Sequence, residues 1–183
     1  MPELLIRRAA LADADVLADL GRRTFVETFG HLYPAQDLTD FLRDAYGPAR
    51  TLRDLGDPAK AAWLAEIDGT AIGYALAGPC DLPHAEVTPT CGELKRLYLL
   101  AAHQGAGVGE RLFRTALDWL AETREGDTWI GVWSQNHGAQ RFYRRHGFTV
   151  AGRYAFPVGR TLDQELILRR GRHNHAVHAN GQA

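Results

Sequence analysis

The 183-residue sequence is short of the features that mark several classes of protein. No apolar run approaches the roughly 20 residues that a membrane-spanning helix needs. Neither charge sign is in excess, because 21 Lys and Arg face 22 Asp and Glu, so no basic field favours nucleic acid. The N-terminus lacks the basic start and apolar core of a secretory signal. We therefore expect a cytoplasmic protein without membrane or nucleic-acid partners.

Cysteine is also scarce, since Cys80 and Cys91 are the two thiols of the sequence. They flank a proline-rich stretch, and a disulfide between them is feasible in principle. Without an export signal, we expect both to stay reduced. A covalent acetyl-cysteine route would need an activating base beside the thiol, and nothing near Cys91 in the sequence supplies one.

The composition, with 45% hydrophobic and 23% charged residues, is typical of a soluble globular protein. We predict a single domain over 1–170. Residues 171–183 are polar and unpatterned, and we predict that they form a disordered tail. The histidines of this tail, His173, His175 and His178, have no acidic or thiol companions, so no metal site is expected there.

Apolar periodicity predicts the order strand, two helices, three strands, helix, strand, helix and two strands. Asp68-Gly69 lies between two apolar runs and predicts a tight hairpin. The stretch 78–90 holds three prolines and predicts an irregular loop, while 47–58 predicts a short helical turn. The fold class is therefore mixed α/β (α+β), with about four helices on a mostly antiparallel sheet of about seven strands.

Three glycines precede a predicted helix in the stretch HQGAGVGERLF, 103–113. Glycine weakens helices, so Gly105, Gly107 and Gly109 need another explanation. One is a flexible loop; the other is a cradle of backbone N–H groups at a helix N-terminus, shaped for a phosphate. Glu110-Arg111 stands where a Walker loop carries Lys-Ser or Lys-Thr, and the spacing differs from the dinucleotide fingerprint. Neither a nucleoside triphosphate nor a nicotinamide dinucleotide is favoured.

The pattern Gln104-x-x-Gly107-x-Gly109 resembles the coenzyme A diphosphate loop of the GNAT superfamily of N-acetyltransferases. The later stretch NHGAQRFYRRHGF, 136–148, resembles the superfamily's Asn-x-x-Ala-x-x-Phe-Tyr-x-x-x-Gly-Phe helix. The order of strands and helices matches too, so the resemblance covers nearly the whole chain. The segments TFVETFGHLYPAQDLTDFL, ELKRLYLL and IGVWSQN further resemble the PaiA-type branch, which includes acetyltransferases of polyamines and other small amines.

This resemblance implies a GNAT-type fold and acetyl-CoA as the cosubstrate, with no metal. The residues that it implies at the coenzyme are Leu97, Tyr98, Leu99, Gln104, Gly105, Ala106, Gly107, Val108, Gly109, Glu110, Asn136 and Tyr143. The strand that contains Leu97 would pair with the amides of the pantetheine arm, and the Leu97 N–H would support the developing oxyanion. Asn136 would contact the arm, and it can also cap the helix that follows it.

The implied reaction is direct attack of a neutral amine on the thioester carbonyl in a ternary complex. The resemblance assigns Tyr143 as the acid that protonates the leaving sulfur; a packed core tyrosine is the alternative. Glu93 is the candidate base, directly or through water; an ordinary strand-end charge beside Lys95 is the alternative. Strand alternation predicts that Glu93, Lys95 and Leu97 share a face. Members of the superfamily also carry a base at another position, which is Gly131 in this sequence. Glycine has no side chain that could accept a proton, so Gly131 cannot be the base.

The N-terminal segment would form the acceptor side. Its candidate substrate-binding residues are Glu27, Phe29, His31 and Tyr33; solvated polar groups beside a packed core are the alternative. Weaker candidates are Asp81, His84 and Glu86. The expected substrate is a small primary amine, with a polyamine as one option. A protein N-terminus or lysine, or a non-catalytic acyl-CoA-binding regulator, are the alternatives. A homodimer could form through a strand edge or the C-terminal hairpin.

Overall fold

The computed structural model describes residues 3–172, which fold around a seven-stranded sheet. The strands are β1 (Leu4–Arg8), β2 (Ala61–Ile67), β3 (Thr70–Pro79), β4 (Gly92–Leu99), β5 (Thr128–Trp133), β6 (Thr149–Val158) and β7 (Thr161–Arg170). They lie in the order β1-β2-β3-β4-β5-β7-β6. Neighbouring strands are antiparallel except for β4 and β5, which confirms the predicted sheet. Residues 173–183 of the predicted tail, with its three histidines, lie outside the described residues.

Helices cover both faces of this sheet. They are α1 (Ala14–Phe29), α2 (Ala35–Tyr46), α3 (Pro48–Gly56), α4 (Val108–Thr123) and α5 (His137–Arg145). Where the sequence predicts a short helical turn, α3 is a regular helix of nine residues that begins with a proline, which fits the first turn of a helix. No helix within residues 3–172 is both long and apolar enough to cross a membrane.

The two faces of the sheet have separate apolar clusters. Leu112, Phe113 and Tyr143 of α4 and α5 pack on one face in the largest buried cluster. On the other face, Leu17 and Leu20 of α1 pack against β2 and β3, and further aromatic rings of α1 and α2 pack towards β4 and β6. Each face can therefore present a different set of side chains to a ligand.

A β-bulge interrupts β4 near its middle. Arg96 pairs with Leu76 of β3, whereas Leu94 pairs with Ala77, so Lys95 is an extra residue in β4. One extra residue in a strand shifts the alternation of side chains between the two faces of the sheet. Residues on either side of Lys95 therefore do not follow the simple period of two.

The bulge gathers polar side chains of β4 on the face that α1 and α2 cover. They are Glu93, Lys95, Arg96 and Tyr98. Leu97 belongs instead to the apolar cluster under α4, as do Leu94 and Leu99. The prediction that Glu93, Lys95 and Leu97 share a face is therefore wrong for Leu97, because the bulge intervenes.

A gap opens between β4 and β5. The two parallel strands pair at Gly92–Thr128 and Glu93–Trp129. Beyond Glu93, they continue to Leu99 and Trp133 with no further pairing between them. Because β3 holds β4 and β7 holds β5, each strand keeps one partner while they separate.

Candidate active site

A cleft of about 1040 Å³ fills the gap between β4 and β5. Phe29 and Tyr33 line it from the α1 side, whereas Asn136 and Tyr143 line it from α5 on the opposite face. Two ligands that approach from opposite faces of the sheet can therefore meet between the strands.

The glycine loop lies between the C-terminal end of β4 and α4. Gly105 and Gly107 have φ angles of +81° and +80°, a region that residues with side chains rarely adopt. Gly107 is the N-cap residue of α4, and a Cβ at Gly105, Gly107 or Gly109 would meet no atom within 4 Å. The first N–H groups of a helix have no intrahelical partner. The loop thus has the open backbone in front of unpaired N–H groups that the phosphate-cradle interpretation requires.

Gln104 fixes the start of this loop, because its Nε2 donates a 3.1 Å hydrogen bond to the carbonyl of Leu99. Glu110, in the first turn of α4, lies just after the other end of the loop and is held by two side chains. Its Oε1 lies 2.9 Å from Nε2 of His146 and 2.7 Å from Nε of Arg114. The glycine loop is therefore tied to β4 at one end and to α5 at the other.

Asn136 and Tyr143 lie at the two ends of α5 and both line the cleft. Asn136 caps the helix, since its Oδ1 accepts a 3.1 Å hydrogen bond from the N–H of Ala139. The Tyr143 ring packs beside Phe113 and Phe148, with centroid distances of 5.9 and 6.1 Å. Within residues 3–172, the Tyr143 hydroxyl has no hydrogen-bond partner. Burial raises the pKa of Tyr143, so the phenol stays protonated at neutral pH.

Glu93 lies at the narrow end of the cleft, where β4 and β5 still pair. Its Oε2 accepts a 2.8 Å hydrogen bond from Nζ of Lys95 and a 2.9 Å hydrogen bond from the N–H of Asp81. Burial alone would lower the pKa of Lys95, but the charges of Glu93 and Asp81 raise it. Glu93 is thus one half of an ion pair.

The predicted acceptor residues separate into two groups. Phe29 and Tyr33 line the cleft, and Phe29 stands edge-on to Trp133 with 5.7 Å between ring centroids. Glu27 lines it as well, but its Oε2 accepts a 2.9 Å hydrogen bond from the N–H of Ala101. His31 is exposed in the 3₁₀ turn after α1 and, unlike the other three, does not line the cleft.

The three weaker candidates in the loop before β4 also separate. Asp81 lines the cleft. His84 packs on Trp129 at 4.9 Å and bonds the carbonyl of Ala151, and Glu86 pairs with Arg169. The structure therefore uses His84 and Glu86 to fasten the loop to the sheet, away from the cleft.

Both cysteines are free thiols. Cys91 is buried among Leu82, Trp129 and Ile167, and neither cysteine lines the cleft. In the part of the chain that the structure describes, no group of three His, Cys, Asp or Glu side chains is arranged to hold a metal ion.

Sequence reasoning missed two carboxylates that line the cleft from β7, Asp163 and Glu165. Tyr33 donates a hydrogen bond to Oδ2 of Asp163, and Tyr154 donates a 2.7 Å hydrogen bond to Oε2 of Glu165. The sequence does indicate that Asp163 and Glu165 share a face of their strand, because residues two apart in a strand do so. What the sequence does not reveal is that β7 lies beside β5, at the gap.

Residues 20–148 match the model of the acetyltransferase (GNAT) family. This chain belongs to the GNAT family. It is therefore an N-acetyltransferase that depends on acetyl-CoA, as the two sequence motifs imply.

Similar proteins are found both among curated sequences and among solved structures. An uncharacterized N-acetyltransferase from Lactobacillus delbrueckii subsp. lactis is 28% identical over 151 residues, covering 82% of this chain and 87% of that protein. Another from Mycobacterium tuberculosis is 30% identical over 160 residues, covering 87% and 98%. The crystal structure of PaiA N-acetyltransferase from Thermoplasma acidophilum in complex with coenzyme A has a TM-score of 0.74 at 19% identity, over 92% of this chain and 99% of that one. The likeness confirms the predicted GNAT fold.

Proposed function

We propose that this GNAT enzyme transfers the acetyl group of acetyl-CoA to a primary amine of a small cationic molecule, with polyamines as the first class to test. The observation that carries the proposal is the acidic lining of the cleft on the α1 side, where Glu93, Asp163 and Glu165 meet. Carboxylates attract an ammonium group, and the nearby rings of Phe29 and Trp133 offer cation–π faces. The structural likeness to PaiA N-acetyltransferase supports the same class of substrate, as do the segments 24–42, 93–100 and 130–136, which resemble the PaiA-type branch.

Contacts between α2 and the β6–β7 hairpin favour a small acceptor over a polypeptide. Asp37 at the start of α2 accepts a 3.2 Å hydrogen bond from Thr161 and lies 3.5 Å from Arg160. Tyr33, just before α2, reaches across to Asp163. These contacts bridge the acceptor end of the cleft, where an extended polypeptide would need an open groove.

The opposite face fits the coenzyme. The free N–H groups before and within the first turn of α4 suit a diphosphate, because the open space at Gly105, Gly107 and Gly109 lets it approach the backbone. The part of β4 that pairs with β3 but not with β5, Leu97 to Leu99, offers a strand edge to the amides of a pantetheine arm. When bound, acetyl-CoA supplies the activated acetyl group as a thioester.

Three chemical tasks fall to the protein. An alkyl ammonium, with a pKa of about 10.4, must lose a proton before it is nucleophilic. The N–H of Leu97 would donate to the carbonyl oxygen as charge develops there. Tyr143, with a pKa raised by burial, would give its proton to the leaving sulfur. Glu93 is the predicted base, but the same oxygen that would accept the proton is held 2.8 Å from Nζ of Lys95 in an ion pair.

The test is thiol release from acetyl-CoA with a panel of amines: spermidine, spermine, aminoglycosides, free amino acids and short peptides. Release that depends on a polyamine supports the proposal. Release with peptides would favour a protein N-terminal acetyltransferase; the N-alpha-acetyltransferase RimI of Mycobacterium tuberculosis is 33% identical to this chain over 109 residues. Tight coenzyme A binding with no release from any amine would favour the acyl-CoA-binding regulator.

A further inference from the structure

Glu165 and Tyr154 form a carboxylate–phenol pair in the wall of the cleft. They are opposite residues in the β6–β7 ladder, and Tyr154 Oη donates a 2.7 Å hydrogen bond to Oε2 of Glu165. Both residues line the cleft. The bond fixes the carboxylate on the face of the sheet that α1 covers, where the acceptor would enter.

Gly131 of β5 makes room for this pair. A Cβ at Gly131 would lie 3.1 Å from Tyr154 Oη and 3.2 Å from Glu165 Oε2. Both oxygens thus lie directly over the backbone of β5, in the space that a side chain at 131 would fill. Because β5 forms one wall of the gap between the strands, the Glu165 carboxylate sits at that gap.

The charged surroundings of Glu165 differ from those of Glu93. Within residues 3–172, no Lys, Arg or His nitrogen lies within 4.0 Å of Glu165, whereas Glu93 has Lys95 at 2.8 Å. The titratable groups that face Glu165 are the phenols of Tyr154 on β6, Tyr98 on β4 and Tyr33 before α2, and the carboxylates of Asp163 on its own strand and Glu93 on β4. Burial and the two carboxylates raise the pKa of Glu165, against the hydrogen bond from Tyr154.

We propose that the Glu165 carboxylate is the base that takes the proton from the incoming ammonium group. This inference rests on the proposed function. A carboxylate without a cationic partner binds a proton more readily than one in an ion pair, and a base works best when its pKa approaches the working pH. Tyr154 is a positioning residue, because it holds the carboxylate over Gly131 without touching the amine.

The protons balance in this scheme. One carboxylate oxygen of Glu165 accepts a proton from R–NH₃⁺, and the freed lone pair forms the N–C bond to the thioester carbonyl carbon. As the C–S bond breaks, Tyr143 protonates the sulfur, and the second proton that leaves the nitrogen restores the Tyr143 hydroxyl. Glu165 then releases its proton to water. The products are the amide, the thiol and one proton.

The test is Glu165→Gln, whose amide oxygen can still accept the hydrogen bond from Tyr154. With the amine that the panel identifies, we expect kcat/KM to fall about 100-fold near neutral pH. The deficit should shrink as the pH rises towards the pKa of the amine, because more substrate is then already neutral. Calorimetric affinity for coenzyme A should stay unchanged. A loss that is equal at every pH would overturn the assignment and leave Glu165 a structural or cation-binding role.

Tyr154→Phe is the matched variant. It keeps the carboxylate but removes the hydrogen bond that favours its charged form, so the acidic limb of the pH–rate profile should move to higher pH. An unmoved limb would contradict the proposal.

Glu93→Gln separates the two candidate bases. If Glu165 is the base, Glu93→Gln should keep the acidic limb of the pH–rate profile. If this limb is lost in Glu93→Gln but persists in Glu165→Gln, Glu93 is the base. If the wild-type enzyme releases no thiol with any amine, the proposed function itself fails, and the assignment fails with it. If release is present but Glu165→Gln retains the wild-type pH profile, only the assignment fails.

Discussion

Lys95 Nζ lies 2.8 Å from Oε2 of Glu93, at the last residue pair that joins β4 to β5. The side chains are 14% and 11% exposed, so water solvates neither charge well. Strand alternation brings them together, because residues two apart in β4 share a face of the sheet, and the β-bulge shifts only the residues after Lys95. The ion pair therefore marks the point from which the two strands separate.

Lys95→Met should destabilise the protein, because it leaves the Glu93 charge buried without its cation. Breaking one side of a buried pair costs about 3 kcal/mol. Urea unfolding monitored by circular dichroism measures the change. The double variant Glu93→Gln/Lys95→Met should recover much of the loss, since no charge then remains uncompensated. Additive losses would show that the two side chains act independently.

Local turns and caps were predictable because neighbouring residues determine them. Asp68 and Gly69 have φ angles of 48° and 79° and form the predicted hairpin turn. Asn136 caps α5, and Gly107 begins α4. Each of these features needs only a few consecutive residues, which a sequence displays directly.

Features that depend on strand pairing were not predictable. The bulge at Lys95 exists only in relation to β3, and it moved Leu97 to the other face. Asp163 and Glu165 alternate visibly in the sequence, but their importance comes from β7 lying between β5 and β6. The sequence also does not show that His31 is exposed in its 3₁₀ turn, whereas Tyr33, two residues later, lines the cleft.

Glu165→Gln should make the folded protein more stable near neutral pH, although it lowers activity. Burial raises the pKa of Glu165 above that of the unfolded chain, so folding takes up protons at this site. The free energy of unfolding therefore falls as the pH rises from the pKa of this carboxyl in the unfolded chain to its higher pKa in the folded protein. The neutral amide of glutamine avoids this loss. Urea unfolding should show the gain near pH 7 and its disappearance towards about pH 4. The exposed control Glu122→Gln should show no such trend; an equal trend in both variants would contradict the prediction.

Gly109→Ala tests the phosphate cradle without straining the backbone. Gly109 lies in the first turn of α4, and a Cβ there meets no protein atom. Alanine should stabilise the helix by about 0.5–1 kcal/mol, yet its methyl group would project towards the diphosphate. We expect calorimetry to show weaker coenzyme A binding, and Gly107→Glu to abolish it through charge repulsion. Gly56→Ala at the end of α3 is the control for stability alone, and unchanged affinity in Gly109→Ala and Gly107→Glu would remove the cradle interpretation.

Tyr143→Phe should lower kcat by about 100-fold, because the thiolate then leaves without its proton donor. The hydroxyl has no hydrogen-bond partner within residues 3–172, so the unfolding free energy and the affinity for acetyl-CoA should stay the same. Tyr74→Phe is the matched control, because Tyr74 is also buried but does not line the cleft. Equal rates in the wild type and in Tyr143→Phe across the pH range would return Tyr143 to a packing role.

Asp163→Asn should change the charge preference of the acceptor site and little else. The asparagine oxygen can still accept the hydrogen bond from Tyr33, so α2 and the β6–β7 hairpin stay connected. Losing one carboxylate should raise the KM of a polyamine about 10-fold, since hydrogen bonds to charged groups contribute about 1.5–3 kcal/mol. A monoamine of similar pKa should be affected less, because it carries no second ammonium for Asp163 to bind. Steady-state kinetics with the paired substrates, and with the exposed control Asp15→Asn, measure this difference. Equal KM changes for both amines would show that Asp163 does not select for charge. The proposal that the acidic lining of the cleft recognises the substrate would then be contradicted.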